Sequence, residues 1–598
     1  MSSTVAARAL QRLATLGALR QVDVEFAALL QTRLAASPEV ALAGALAMRA
    51  VALGHSGFAL PQARQLLDEL DVDVTLPMAD AWSDALRASA LVSSQAASGD
   101  ATPLVHEHGR VALRRYARYE HDLSTRLRDR AAAPTAAVDA QWLQARLRSL
   151  FEGAASDTDA KTHATSTDAQ AHAADTAVRN TLALITGGPG TGKTTTVARI
   201  LVLLHELALR DGQPVPRIAL AAPTGRAAAR MGEAIDATLA RDVEAGRVEP
   251  VIAGVISRDA QTLHRLLGWQ SGRVDFRHDA THTLPFDVVV VDEASMVDLP
   301  LMSKLVAAVP LQAKLILIGD PDQLPAVEAG DVLGALCDAA TPGAPLAALR
   351  VHLTRGYRQA GDGALPALAA AIQTGDGDAA MACLHAGDNE LQWRDGNVAA
   401  LGHALREFAL PAYQRIAHAE DPTQALRDAG AMRVLCALRN GPFGAQAWNA
   451  WFAEQLGARS VFFHGRLLMI TANSYRHGLF NGDVGVVWHD ADGEAHVWFD
   501  TGNGLRAWSP SQLPAHDSAF ATTVHKAQGS EFDRVAVVLP DDDARVLSRE
   551  LLYTALTRAR HGALLWSPQA VLLRAIARHG RRESGLVARF ASAQATAT

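Results

Sequence analysis

Eight consecutive residues, Gly187-Gly188-Pro189-Gly190-Thr191-Gly192-Lys193-Thr194, satisfy the spacing G-x-x-x-x-G-K-[ST]. Between a strand and a helix, such a loop cradles phosphates. Its glycines let backbone N–H groups curl around phosphate oxygens, and the helix N-terminus adds favourable partial charge. Lys193 is placed to reach the β- and γ-phosphates, Thr194 offers a hydroxyl to Mg²⁺, and Thr195 continues the new helix. An acidic pair, Asp292-Glu293, ends the apolar run Asp287–Val291. There Asp292 would hold Mg²⁺, directly or through water, and Glu293 would orient and deprotonate an attacking water. A third run, Leu315–Ile318, leads into Gly319-Asp320-Pro321-Asp322-Gln323-Leu324-Pro325, which sets the Gln323 amide to touch both a terminal phosphate and that water. The chemistry common to the three loops is hydrolysis of a nucleoside triphosphate.

Loops of this kind need strands to aim them. From about residue 170, the runs Leu182–Thr186, Arg217–Ala222, Asp287–Val291, Lys314–Gly319, Met432–Ala437 and Val535–Leu539 alternate with helical segments. Continuous apolar strands in this rhythm belong to parallel sheets covered by helices on both faces. Residues 460–515 differ, with NGDVGVVWHD, DADG and TGNG, and read as a small antiparallel barrel inserted in a second α/β domain. Residues 1 to about 150 read as mostly helical, with apolar spacing through Ala6–Leu16, Val22–Leu34 and Val40–Leu53. Arg110 to Arg130 holds seven arginines diluted by Glu120, Asp122 and Asp129, and reads as a solvated helix face before a nucleic-acid surface. The small polar stretch 154–169 reads as a linker.

At 598 residues the chain exceeds one hydrophobic core. Its 49% hydrophobic and 20% charged residues exclude a wholly disordered, collagen-like or disulfide-scaffold chain. With a net charge of −7, any basic surface for nucleic acid must be local. Cys337, Cys383 and Cys436 fit neither a disulfide framework nor a zinc site, and the histidines lack metal-site spacing. No apolar stretch is long enough to span a bilayer, and the first residues lack a signal-peptide core, so a cytoplasmic location is expected. Only five of 56 basic residues are lysine (Lys161, Lys193, Lys304, Lys314 and Lys526), which makes each one notable, since a planar guanidinium does not always replace a compact ammonium.

The ordered set GGPGTGKT, APTGRAA (222–228), VDEAS (291–295), GDPDQLP (319–325), LTRGYRQ (353–359), TVHKAQGSEF (523–532) and YTALTRAR (553–560) resembles superfamily 1 DNA helicases. Within them it is similar to the RecD family, the α subunits of bacterial exodeoxyribonuclease V. The resemblance implies two RecA-like P-loop motor domains with parallel sheets, 1A over 170–345 and 2A over 346–455 and 516–598. It also implies a helical partner-binding domain over 1–135, a helix and linker over 136–169, and an SH3-like β-barrel (2B) over 456–515. The implied activity is ATP-dependent translocation on single-stranded DNA and 5′→3′ unwinding of double-stranded ends for recombinational repair, with RecB and RecC as partners in a heterotrimer. Residue by residue, Gln170 would read the adenine edge and Glu531 would contact the ribose. Arg358 and Arg558 would reach the γ-phosphate from across a cleft. Thr224, Arg226, His264, Thr523, His525 and Lys526 would line a single-strand track, holding phosphates without reading bases. Two other readings are weaker. A pure ATP switch needs no complete hydrolytic set, and a nuclease centre needs a carboxylate cluster that neither Lys304 nor Lys314 accompanies. Stand-alone relatives usually carry extra N-terminal DNA-binding modules, whose helix–hairpin–helix glycine signature is missing from the first 165 or so residues.

Overall fold

The computed structural model describes residues 2–592 except 71, 100, 135–136, 152–159, 271, 274, 355–362, 388–389, 475 and 502–503. Three helices, Ser2–Thr15, Gln21–Leu34 and Pro38–Ala52, open the chain as expected and share a core with Trp82. The third starts cleanly because Ser37 accepts a hydrogen bond from the Val40 N–H and Pro38 sits in the first turn. The region also holds a sheet that periodicity did not reveal: β1 (Phe58–Ala59), β2 (Val92–Ser93), β3 (Leu104–Glu107) and β4 (Arg110–Leu113), in the order β1-β4-β3-β2. Strands of two to four residues are too short to show alternation.

The basic stretch is solvated on one side only: Arg115, Arg118, Asp122 and Asp129 are exposed, while the opposite side packs against the protein. Its helix, Arg114–Ala131, inserts Leu123 and Leu127 into the core of the first motor domain. Arg130 is buried and donates to the carbonyl oxygens of Ala313 and Pro310, both at 2.8 Å. Buried Glu120 accepts from the Ser56 hydroxyl (2.5 Å), the Ser584 hydroxyl (3.0 Å) and the Gly585 N–H (2.7 Å). Leu123→Ala is therefore expected to lower the unfolding free energy of the motor by about 2–5 kcal/mol in denaturant titration; no change would detach this helix from the motor core.

The first motor domain is an all-parallel sheet of β5 (Leu182–Gly187), β6 (Ile218–Ala222), β7 (Ala260–Thr262), β8 (Val288–Val291), β9 (Lys314–Gly319) and β10 (Arg350–Leu353). Its order is β10-β5-β9-β8-β6-β7. Leu182 and Leu184 feed one core and Ala183 and Ile185 the other, which is why these strands read as unbroken apolar runs. Before the sheet, the helix Ala160–Arg179 overruns the expected linker, because alanine at 160, 164, 169, 171, 173 and 174 favours helix over coil.

The second motor domain contributes β11 (Leu391–Arg394) and β12 (Met432–Cys436) before the insertion. The insertion is an antiparallel sheet of β13 (Leu467–Ile470), β14 (Val484–His489), β15 (Ala495–Asp500), β16 (Leu505–Trp508) and β17 (His516–Ser518), ordered β16-β15-β14-β13-β17. It has its own core around Leu468, Val487, Val497 and Phe499. Among the described residues its edge strands β16 and β17 do not pair, so the expected barrel stays open. The turn Pro510–Gln512 between them starts with a residue that has no N–H to donate. The main sheet then closes with β18 (Ala521–Thr523), β19 (Phe532–Val538) and β20 (Ala559–Trp566), in the parallel order β11-β20-β19-β12-β18.

After β20 the chain returns to the first motor domain. Arg581 pairs with Asp338 at 2.8 Å, and the helix Leu586–Ser592 buries Leu586 and Phe590 beside Leu123. Among the described residues no helix is long and apolar enough to cross a membrane.

Candidate nucleotide site between the motor domains

β5 delivers the phosphate loop. Gly190 and Gly192 hold φ at 76° and 83°, where a side chain is strained, and Gly192 sits directly before the helix Lys193–Arg210. The Lys193 ammonium donates to the carbonyl oxygens of Gly187 (2.6 Å) and Gly188 (2.8 Å), so a phosphate oxygen at the loop competes with those carbonyls for the same protons. Thr191 ties the loop through its hydroxyl to Gly188 O at 2.8 Å. Gln170 is buried and donates its side-chain N–H to Thr191 O at 3.1 Å, which fastens the predicted adenine reader to the loop.

β8 ends one residue before Asp292, whose Oδ1 accepts the Glu293 N–H at 2.8 Å. Glu293 itself stands at φ 52°, ψ 42°, one of three non-glycine residues with positive φ among those described. Such a conformation costs on the order of 1–2 kcal/mol, and strain of this kind gathers at sites that do chemistry. A paired test follows. Glu293→Ala and Glu293→Gly are both expected to lose hydrolysis, with the glycine variant the more stable by up to about 1 kcal/mol. A less stable glycine variant in thermal unfolding would contradict the strain. Burial and the adjacent Glu293 push the Asp292 carboxyl up to about 6, and Lys193 acts against that rise. A recessed carboxylate of this kind is suited to a divalent cation.

β9 ends at the sensor loop, and here the two motor domains meet. Gln323 donates through Nε2 to Asp320 Oδ2 at 3.0 Å and accepts at Oε1 from Arg558 at 2.9 Å. Arg558 also donates to Thr554 O and Ser530 O, both at 3.2 Å. The Tyr553 hydroxyl donates to Asp320 Oδ2 at 3.2 Å. Backbone is tied too: Leu324 N–H donates to the Thr554 hydroxyl (2.8 Å), and Gln528 donates to Leu324 O (2.8 Å). The structure thus brings Arg558 onto Gln323, while Arg358 lies outside the described residues. Glu531, the predicted ribose contact, is held by Arg230 at 2.9 Å and Arg560 at 3.1 Å. Asp320 and Tyr553 escaped the sequence reading although both lie in the quoted motifs. Only the topology shows that a carboxylate and a phenol face each other.

Several of the predicted DNA residues already have partners within the chain. Thr224 caps the helix Gly225–Glu244 by accepting from Ala227 N–H. Burial, with Arg433 and Arg230 nearby, pulls Arg226 down to about 10. The His264 ring packs edge-on against Phe276 at 5.7 Å, and burial lowers its pKa. Burial also lowers His525. Lys526 donates to Asp517 at 2.9 Å, with Arg439 at 3.6 Å from the same carboxylate oxygen. Thr523 and Lys526 line a cavity of about 410 Å³ together with Arg439, Asn449 and Phe463.

Three families match this chain in order: the RecBCD enzyme subunit RecD N-terminal domain over residues 15–111, an AAA domain over 170–329, and the UvrD-like helicase C-terminal domain over 518–566. The chain is 37% identical over 593 residues to the RecBCD enzyme subunit RecD of Mycolicibacterium smegmatis, covering 95% of this chain and 97% of that one. The chain belongs to the RecD family. It is an ATP-dependent DNA helicase. Another RecD, from Mycobacterium tuberculosis, is 41% identical over 430 residues, 70% of this chain and 72% of the relative. The ATP-dependent RecD2 DNA helicase of Deinococcus radiodurans is 35% identical over 391 residues, 63% of this RecD-family chain and 46% of the relative. Among solved structures, the Pif1 helicase from Bacteroides in complex with ADP-AlF3 and ssDNA aligns at 17% identity, 69% of this chain and 93% of that one, with a TM-score of 0.37.

Proposed function

We propose that this chain is the 5′→3′ motor subunit of a RecBCD-type complex, translocating on single-stranded DNA to open double-stranded ends for recombinational repair, with RecB and RecC as its partners. One observation carries the motor reading: the sensor Gln323 of the first motor domain is bonded to Arg558 of the second, so the hydrolytic set spans the cleft. ATP bound by Lys193 and the loop N–H groups would present its γ-phosphate near Gln323 and Glu293. Thr194 and Asp292 would hold Mg²⁺, which when bound neutralises charge on the phosphates. Glu293 takes the proton of the attacking water, and Gln323 orients that water. Arg558 and Arg358 offset charge developing on the transferred group.

Coupling to DNA follows from the same spacing. Loss of the γ-phosphate removes the charge that draws the two domains together, so each cycle changes the grip on the strand. Opening a base-pair step costs about 1.4 kcal/mol, and stacking a base on protein returns about 1–3 kcal/mol. A ratchet of one base per cycle is therefore affordable. Thr523 and Lys526, at the rim of the cavity beside Arg439, support a phosphate-holding track there.

The test is strand separation by the purified chain with ATP. Duplexes with 5′ overhangs should open and those with 3′ overhangs should not; the reverse preference would overturn the polarity. For the partner reading, a chain lacking residues 1–113 should keep DNA-stimulated hydrolysis but fail to co-purify with the large subunits. Retained assembly would remove this region from the interface. The cut falls at 113 because the next helix belongs to the motor core.

A further inference from the structure

We propose that Tyr553 and Asp320 act as a positioning pair across the motor cleft, fixing the Gln323 amide so that its oxygen, not its nitrogen, faces Arg558. The proposal rests on the reading of Gln323 and Arg558 as hydrolytic groups. An amide is almost symmetric in shape, so its partners decide which end points where. Arg558 can only donate and an ionised Asp320 can only accept. With Arg558 2.9 Å from Oε1 and Asp320 Oδ2 3.0 Å from Nε2, a flipped amide would set N–H against guanidinium and carbonyl against carboxylate.

All four side chains are shut away from water: Asp320 is 1% exposed, Arg558 3%, Gln323 5% and Tyr553 5%. Such burial leaves little room for solvent to compete for these partners, and each bond strengthens in the low local dielectric. Burial raises the Asp320 carboxyl to about 6, so its acceptor role at neutral pH depends on donors. Gln323 and the Tyr553 hydroxyl, the latter at 3.2 Å, supply two on Oδ2, and the Asp322 N–H supplies a third on Oδ1 at 3.1 Å. Burial and the facing Asp320 in turn keep the Tyr553 phenol protonated, hence a donor.

Tyr553 has a second contact that ties the pair to the nucleotide. It belongs to the helix Arg549–Leu556 of the second motor domain, yet its oxygen lies 2.8 Å from where a Cβ on Gly188 would stand. The phenol therefore rests on the phosphate loop, and any side chain at 188 would displace it. A movement of that loop reaches Gln323 through two consecutive bonds, Tyr553 to Asp320 and Asp320 to Gln323.

The test uses the full chain and its DNA-stimulated ATPase, with Gln323→Ala as reference. Tyr553→Phe should lower kcat about 5- to 20-fold, leaving KM for ATP within about twofold and lowering the melting temperature by no more than a few degrees. Asp320→Ala should lower kcat by about tenfold or more, and Asp320→Asn, whose oxygen still accepts from the Gln323 and Tyr553 side chains although its amide nitrogen gives up the Asp322 N–H, should recover it to within about threefold of the parent. Adding Tyr553→Phe to Asp320→Ala should cost less than about twofold more, since the two act as a unit. Unchanged kcat in Tyr553→Phe, with Gln323→Ala impaired, overturns the pair alone. Full hydrolysis by Gln323→Ala overturns the hydrolytic reading beneath it. A loss in Asp320→Ala that Asp320→Asn does not recover, with KM and melting temperature moving alongside kcat, reduces the pair to packing and also overturns it.

Discussion

Lys193→Gln is expected to lower DNA-stimulated ATP hydrolysis by on the order of a thousandfold or more, while the chain stays folded. Lys193 is one of only five lysines among 56 basic residues, and its ammonium already lies on the loop, 2.6 and 2.8 Å from two carbonyl oxygens. Glutamine can replace a hydrogen bond there but not the positive charge that follows a phosphoryl group in transfer. The fold should survive because the helix it opens is anchored further along, by Val197, Ile200 and Leu201 in the core. Steady-state phosphate release and thermal unfolding check both halves. A rate within tenfold of the parent would remove Lys193 from the chemistry, and a collapsed melting temperature would make the loss a folding effect.

Arg558→Ala is expected to keep nucleotide affinity within a few-fold yet lose about a thousandfold or more in stimulated hydrolysis, the range seen when a charge-stabilising arginine is removed from phosphoryl transfer. The same change should destabilise the chain, because the Ser530 carbonyl and the Gln323 oxygen lose this buried donor, while the Thr554 carbonyl keeps the Thr557 hydroxyl. Each buried group left unsatisfied costs about 1–3 kcal/mol. Arg558→Lys should not restore the rate: an ammonium carries the charge but cannot reach three acceptors in the planar geometry of a guanidinium. Titration with a fluorescent nucleotide separates binding from turnover. Parallel loss of both would make Arg558 a structural residue, and unimpaired turnover would exclude it from the hydrolytic set.

What the sequence disclosed was local. The loop Gly187–Thr194, the acids at 292 and 293, and Gln323 each follow an apolar strand, so spacing along the chain stood in for position in space. Six of the eleven parallel strands described in the motor sheets were equally plain, since burial on both faces leaves nothing to alternate, whereas β7, β10, β11, β18 and β20 were not read. What stayed hidden depends on distant segments. Arg130 and Glu120 look like solvated charges until their partners, carbonyls near 310 and the segment 584–589, are folded against them. The helix Leu586–Ser592 follows the second motor domain in sequence but completes the core of the first. Tyr553 and Asp320 carry no spacing signal at all, because 233 residues separate them. The polar stretch near 160 misled for another reason: small polar residues suggested coil, while its alanines favour helix.

The most direct measurement is a crystal structure of this chain with ADP and aluminium fluoride as the transferring phosphoryl group. The account predicts fluoride ligands within hydrogen-bonding reach of the Lys193 ammonium on one wall and the Arg558 guanidinium on the other, with Gln323 between them. If Arg558 instead remained on Ser530 and Thr554 and no group of the second motor domain approached the fluoride, ATP would not be shared between the domains, and hydrolysis could not drive their movement.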